Sequence, residues 1–187
     1  MVQTPQKLLS LDEFLALPET EPASEYINGR VIQKPMPQGK HSIIQRELSF
    51  ALTLAFRPDG IAQAFPELRC TFGSRSIIPD IAVFQSDRIP RDLDGQVANA
   101  FNVPPDWTIE ILSPGQSQTR VTLNVIHCLN HGSKMGWIID PAESPIFTYR
   151  SDKLVSVFED PLDSLPTPNF AGAVKLTLGE VFSWLKV

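Results

Sequence analysis

The sequence predicts an α/β (α+β) fold in which helices flank the core of a mixed β-sheet. The chain has 187 residues, of which 42% are hydrophobic and 20% charged. It can therefore bury a hydrophobic core without disulfide or metal cross-links. Predicted strands come before and after a helix, and this order is typical of a mixed sheet with helices packed on it. We therefore expect one domain over residues 1–187.

The N-terminal part predicts a helix, a hairpin and a longer helix. Ser10 followed by Glu13 forms a capping box, so a short helix should begin there and end near Pro18. Asn28-Gly29 separates two β-prone runs and is typical of a two-residue hairpin turn. Apolar residues recur at helical spacing over residues 41–56.

The rest of the chain alternates strands and helices. A polar loop over residues 86–104 separates the early strands from a central apolar strand, and Gly132 should end the helix that follows that strand. We expect strands at residues 61–65, 68–72, 78–84, 107–112, 137–140, 146–150 and 154–158, a short strand after residue 169, and helices at 119–130 and 178–185.

Charge and cysteine content limit the function classes. The net charge of −5 disfavours a simple nucleic-acid binder, because such proteins are usually basic. The chain has two cysteines in separate segments, as expected in a reducing compartment, and no apolar run long enough to span a bilayer. We expect a cytoplasmic protein. Arginines on both sides of Asp80 form either a local DNA-binding patch or a solvated surface: Arg69, Arg75, Arg88 and Arg91.

Two acidic residues lie in apolar segments, where acids are costly unless they are paired or bound to a metal. Asp80 opens the run 81–84, and Glu110 lies within the run 107–112. Each alone could face solvent, because side chains alternate along a strand. Together they predict an oxygen site for Mg²⁺, with the carbonyl of Ile111 as a third protein ligand.

Pro79-Asp80 followed by Glu110-Ile111-Leu112 resembles the PD-(D/E)XK nuclease signature. Other segments in the same order strengthen the resemblance and extend it over about residues 9–158. Together they resemble a bacterial family of restriction-endonuclease-like proteins: Glu25-Tyr26, Asn28-Gly29, His41 at a helix start, Ser113-Pro114, and Gly132 followed by Trp137-Ile138-Ile139-Asp140-Pro141.

The resemblance implies a restriction-endonuclease-like fold and an endonuclease that hydrolyses DNA with Mg²⁺ or Mn²⁺. Asp80 and Glu110 would hold the metal, Glu25 would be an accessory acid, and His41 would lie near the phosphate. Carboxylates that share a site should have raised pKa values. Relatives often pair to cut both strands, so a homodimer is an open alternative to a monomer.

The chain departs from the family at the lysine. The signature expects a lysine at the position of Leu112, and relatives in this family carry it on the following helix, where this chain has Asn124. An asparagine donates a hydrogen bond but carries no charge. The sequence therefore predicts a degenerate site in which Asn124→Lys would restore cleavage, with Arg120 as a partial substitute. The alternative is an inactive nuclease fold that binds nucleic acid or protein.

A second metal site is a weaker alternative. His127 and His131 stand four residues apart on one predicted helix, with Cys128 between them, and such pairs can chelate a transition metal. No further ligands accompany them. The histidines can instead be partners of the helix dipole at its C-terminus.

Overall fold

The computed structural model of the chain describes residues 8–186. Its helices are α1 (Leu11–Leu15), α2 (Gly39–Phe56), α3 (Gln118–Asn130) and α4 (Leu178–Ser183). Its strands are β1 (Ser24–Ile27), β2 (Arg30–Gln33), β3 (Ala62–Pro66), β4 (Cys70–Phe72), β5 (Arg75–Ile77), β6 (Ile81–Gln85), β7 (Trp107–Ile111), β8 (Met135–Ile139), β9 (Ile146–Arg150) and β10 (Val155–Phe158).

The strands form two sheets. The larger sheet has six strands in the order β10-β9-β8-β7-β6-β3, and the smaller sheet has the order β2-β1-β5-β4. Strands β7 and β8 are parallel and α3 is the crossover between them, whereas β6 and β7 are antiparallel. Parallel neighbours need such a crossover. The predicted mixed sheet with flanking helices is confirmed.

The two faces of the large sheet are both covered. Helix α2 packs Ile44 and Leu48 against Trp107 and Trp137 on one face. On the other face, Val125 of α3 belongs to the cluster that surrounds β8, and the small sheet joins β6 and α3 in a separate cluster. Central strands buried on both sides are typical of such layered folds. A charged side chain in β7 therefore lies inside the protein.

Local predictions are confirmed where short-range chemistry decides the structure. Both hydrogen bonds of the Ser10–Glu13 capping box are present. Asn28 and Gly29 form the turn between β1 and β2 with φ of 52° and 81°, as a two-residue hairpin turn requires. Helix α2 begins two residues earlier than predicted, at Gly39.

Two strand predictions are wrong. Residues 78–80 lie outside any strand, because the chain passes from β5 in the small sheet to β6 in the large sheet there and Pro79 has no N–H to donate to a ladder. After residue 169 the chain forms a 3₁₀ turn, Asn169–Ala171, rather than a strand, because Ala171 packs into the main core.

Over residues 8–186, no helix is long and apolar enough to cross a membrane.

Candidate functional site

The structure brings the two predicted metal ligands together. Ile81 of β6 pairs with Ile109 of β7, so the register extended by one residue sets Asp80 opposite Glu110. Both side chains are buried, with 2% and 3% exposure. One carboxylate oxygen of Asp80, Oδ2, accepts a 2.7 Å hydrogen bond from the backbone N–H of Ile111. The two carboxyl groups therefore share one buried location at the end of β7.

A lysine that the sequence analysis did not include also lies at these acids. Lys34 Nζ is 2.7 Å from Asp80 Oδ1 and 4.0 Å from Glu110 Oε2. It also donates a 2.6 Å hydrogen bond to the carbonyl of Ile78. The expectation of a site without a lysine is therefore wrong, although the family's own lysine position holds Asn124.

The hairpin contains a signal that could have found this lysine. The two-residue turn sets Glu25 opposite Ile32, and paired residues project from the same face of a hairpin. Lys34 is two residues beyond Ile32, so it belongs to the face of Glu25. The segment after β2 is rich in proline, which indicates a loop and hides this alternation.

Glu25 and Asn124 form the second half of the site. Glu25 is buried and its Oε1 accepts from the backbone N–H of Ile78 at 2.8 Å. Its Oε2 accepts from Asn124 Nδ2 at 3.1 Å. Ile78 thus donates to Glu25 and accepts from Lys34. Asn124, at the family's lysine position, therefore contacts the predicted accessory acid Glu25.

His41 projects from the first turn of α2 towards the acids. It is 5% exposed, and its Nδ1 lies 3.2 Å from Ser113 Oγ. Its Nε2 lies 3.5 Å from Asp80 Oδ1 and has no hydrogen-bond partner in the part of the chain described here. His41 therefore lies against Asp80 with one ring nitrogen that is not hydrogen-bonded within the described residues.

Burial dominates the electrostatics of the acids. It raises the pKa of Glu110 well above its usual value, while Lys34 opposes the shift. It also raises the pKa of Glu25, again against Lys34. The raised values were expected, but burial contributes more than repulsion between carboxylates. Burial lowers the pKa of Lys34, yet the three surrounding carboxylates raise it above its usual value overall. One ammonium therefore compensates part of a buried acidic cluster.

The site opens into a cleft of about 540 Å³ whose lining includes Lys34, His41 and Asp80. A neighbouring cleft of about 610 Å³ shares the His41 lining and extends past Lys40 at the start of α2. The first turn of α2 contains no acidic residue, and its N-cap residue Gln38 makes no side-chain capping bond. The positive end of the α2 dipole at this cleft is therefore not compensated by an acid in the first turn, and it favours anions.

The donor atoms fit a divalent cation. Glu110 Oε1 is buried without a hydrogen-bond partner within residues 8–186, so a carboxylate oxygen remains available. Within those residues, no group of three or more His, Cys, Asp or Glu side chains is arranged to hold a metal. Two carboxylates and the Ile111 carbonyl are nevertheless a suitable set for Mg²⁺ or Mn²⁺, because Mg²⁺ binds few protein ligands and keeps several waters.

The histidines of α3 do not form the alternative metal site. His127 stacks on Phe72 with ring centroids 4.8 Å apart, and its Nε2 lies 3.2 Å from the Phe72 carbonyl. His131 Nδ1 lies 2.8 Å from the His127 carbonyl. Burial lowers the pKa of His127 to about 4, so the ring is neutral at pH 7. The neutral ring is not a charged partner of the helix dipole, and the contact of Nε2 with the Phe72 carbonyl occupies the nitrogen that a metal would need.

The arginine cluster has mainly local partners. Arg69 pairs with Glu19 at 2.6 Å, and Arg88 pairs with the fully buried Asp106. These pairs favour the structural interpretation over a free DNA-binding patch. Arg120 is exposed in the first turn of α3, so Lys34 rather than Arg120 supplies the cation at the acids.

Comparisons with known proteins identify the family of the chain. The model of the Uma2 family, described as "Putative restriction endonuclease", matches residues 11–179. The chain therefore belongs to the Uma2 family. A crystal structure of a "putative nuclease belonging to DUF820" from Anabaena variabilis ATCC 29413 is 57% identical, with a TM-score of 0.93, over 95% of this chain and 99% of that one. No curated protein matches the chain.

Proposed function

We propose that this protein is a divalent-metal-dependent endonuclease that hydrolyses phosphodiester bonds of DNA. The observation that carries the proposal is the buried pair Asp80 and Glu110, which face each other beside a cleft while Glu110 Oε1 has no partner among the described residues. Membership in a family described as "Putative restriction endonuclease" supports the reaction class and DNA as the substrate.

Asp80, Glu110 and the carbonyl of Ile111 would hold Mg²⁺ or Mn²⁺. When bound, such an ion stabilises the charge that develops on the phosphate. Glu25 would be the accessory acid, since its contact with Ile78 links it to the same segment that holds Lys34. Asn124 would orient Glu25 through its hydrogen bond.

His41 would contact the phosphate of the substrate. His41 lines both clefts, its Nε2 has no hydrogen-bond partner among the described residues, and its contact with Ser113 holds the ring. The acid-free start of α2 and Lys40 beside it add positive potential at the same place. Local potential of this kind can attract DNA to a protein whose net charge is −5.

The proposed reaction is hydrolysis by in-line displacement. The oxygen of a water molecule forms a bond to phosphorus while the bond from phosphorus to the leaving sugar oxygen breaks. One proton of the water is released, and the leaving oxygen takes up a proton from solvent. The products are a terminal phosphate and a hydroxyl group. The protein contributes position and electrostatic stabilisation.

A plasmid assay tests the proposal. Supercoiled plasmid is incubated with the wild type, Asp80→Asn and Glu110→Gln in Mg²⁺, in Mn²⁺ and in EDTA. We expect nicking by the wild type with metal and none with EDTA or either variant. Asp152→Asn is the matched control, because Asp152 is an exposed acid paired with Arg150. Cleavage that Asp80→Asn and Glu110→Gln leave intact would refute the site. Linear product without a nicked intermediate would indicate a homodimer.

Asn124 favours a second candidate, a non-catalytic nuclease fold that binds nucleic acid or protein. The family's lysine position then marks a lost activity. A mobility-shift assay with the same plasmid fragments distinguishes the two candidates. Binding of DNA without nicking in either metal would support the binding module.

A further inference from the structure

We propose that Lys34, supplied by the β1–β2 hairpin, takes the role of the lysine that nucleases of this type carry after the second acid. The proposal rests on the proposed nuclease function. It assigns the role to an element outside the signature, since the signature positions hold Leu112 and Asn124.

The backbone of Lys34 is fixed rather than free. Its N–H donates a 2.9 Å hydrogen bond to the carbonyl of Ala23, which continues the ladder beyond the pair Ser24 and Gln33. Pro35 follows directly and restricts the backbone of the residue before it. The side chain therefore starts from a defined point on the face of the hairpin that also carries Glu25.

The ammonium group has one donor left for a ligand. An ammonium has three N–H donors and no acceptor. Two of them are directed at the Ile78 carbonyl and Asp80 Oδ1, whereas Glu110 Oε2 at 4.0 Å is beyond hydrogen-bond distance. The side chain is 15% exposed and lines the cleft. Among the described residues no third acceptor is in range, so a phosphate oxygen or the attacking water can take the remaining donor.

The position of Asn124 explains how the lysine could move. A lysine at this place on α3 would start beside Glu25, which Asn124 contacts at 3.1 Å. Lys34 donates to Asp80 and to the Ile78 carbonyl, and the N–H of Ile78 binds the other carboxylate oxygen of Glu25. The site then keeps one cation among its acids although the element that supplies it has changed. Catalysis depends on where the ammonium lies and not on its place in the sequence.

The chemical role follows from the proposed hydrolysis. Negative charge increases on the phosphate oxygens as the water oxygen bonds to phosphorus, and a fixed donor beside the metal ligands stabilises that charge. The remaining N–H can also orient the attacking water. A purely structural lysine would only neutralise Asp80 and Glu110, and its removal would then lower stability without a selective effect on rate.

A charge-relocation experiment separates these roles. Single-turnover nicking with Mn²⁺ and thermal unfolding are measured for the wild type, Lys34→Gln, and Lys34→Gln combined with Asn124→Lys. We expect Lys34→Gln to reduce the rate by about 10²–10³, as removal of one transition-state donor does, and to keep the stabilisation by metal. The double variant should recover much of the lost rate.

Lys134→Gln is the matched control for losing a lysine charge. Lys134 is exposed before β8, and β8 runs parallel to β7, so Lys134 lies at the opposite end of the strand pair from Glu110. We expect the wild-type nicking rate in this variant. A rate loss equal to that of Lys34→Gln would overturn the specific role of Lys34.

The outcomes distinguish the two proposals. Wild-type cleavage that Lys34→Gln leaves unchanged overturns the role of Lys34 but not the nuclease function, whereas absence of cleavage by the wild type overturns both. If Lys34→Gln does not fold, the double variant tests the role of the ammonium group. A folded and active double variant supports relocation of the ammonium, and an inactive or unfolded one overturns it.

Discussion

Helix α3 borders two regions that both bury titratable side chains. The regions differ in whether those side chains have hydrogen-bond partners. Near Asn124, the buried atoms Glu110 Oε1, His41 Nε2 and Asn124 Oδ1 lack hydrogen-bond partners among the described residues, beside a cleft. One turn later, His127 and His131 have backbone carbonyl partners and lie against the ring of Phe72. Polar atoms left unpaired next to a cleft indicate a binding site, whereas paired ones indicate packing.

The charge states of the two regions differ for the same reason. Burial disfavours charge in both. The acids have Lys34 at 2.7 Å from Asp80, so part of their charge is compensated. His127 has Arg75 and His131 nearby, which lower its pKa further. Lys34 therefore offsets part of the cost of burying the acids, whereas the neighbours of His127 favour its neutral form.

Divalent metal should stabilise the folded protein through the acid region and not through the histidine region. We expect this to be the largest of the effects that distinguish the two regions. At a concentration 100 times the dissociation constant, Mg²⁺ or Mn²⁺ should stabilise the wild type by about 2.7 kcal/mol, because it binds the folded state. Asp80→Asn should lose this stabilisation, and Zn²⁺ should give none that depends on His131. Thermal unfolding with and without metal is the measurement. An equal shift in Asp80→Asn would place the bound metal elsewhere.

Truncation of His127 should affect stability and not cleavage. His127→Ala removes the stacking on Phe72 and leaves a cavity, so unfolding should become easier by about 1–3 kcal/mol. Its nicking rate below the melting temperature should equal that of the wild type. Urea unfolding and the plasmid assay check the two parts. A selective loss of cleavage would show that the histidine region belongs to the site.

The free energy of unfolding should decrease at acidic pH because His127 takes up a proton more readily in the unfolded state. Its pKa is about 4 in the folded protein and about 6.5 when unfolded, so the unfolded state binds more protons between these values. The contribution of His127 is complete above pH 6.5 and is lost as the pH falls towards 4. We expect a loss on the order of 1 kcal/mol that is absent in His127→Ala. Urea unfolding from pH 7 to 4 tests this, and an equal slope in both proteins would contradict it.

Asn124→Lys in the wild-type background should have the smallest effect. From the sequence alone this change was expected to restore cleavage, but Lys34 already supplies an ammonium at the acids. The rate should change by less than about 10-fold, because a second donor adds little where one is present. A gain of the size that Lys34→Gln loses would show that the wild-type site lacks its lysine.

Much of the fold and part of the site could be predicted from short segments. The capping box at Ser10, the Asn28-Gly29 turn and the helical spacing over α2 depend on neighbouring residues, and all three are confirmed. Asp80 and Glu110 could be paired because an acid in an apolar strand needs a compensating partner. The break at Pro79 was missed because the strand pattern there continues across two different sheets.

The sequence by itself determined most of the elements and drew attention to the two acids of this protein, since propensity, turn chemistry and the burial cost of charge act over a few residues. Only the tertiary structure decided which cation meets those acids. Lys34 and Asp80 are 46 residues apart in the chain, and a lysine after a hairpin looks the same whether it faces solvent or a buried carboxylate. The packing of the small sheet against the large one decides which cationic side chain lies at the acids. It places Lys34 beside Asp80 and leaves Arg120 exposed.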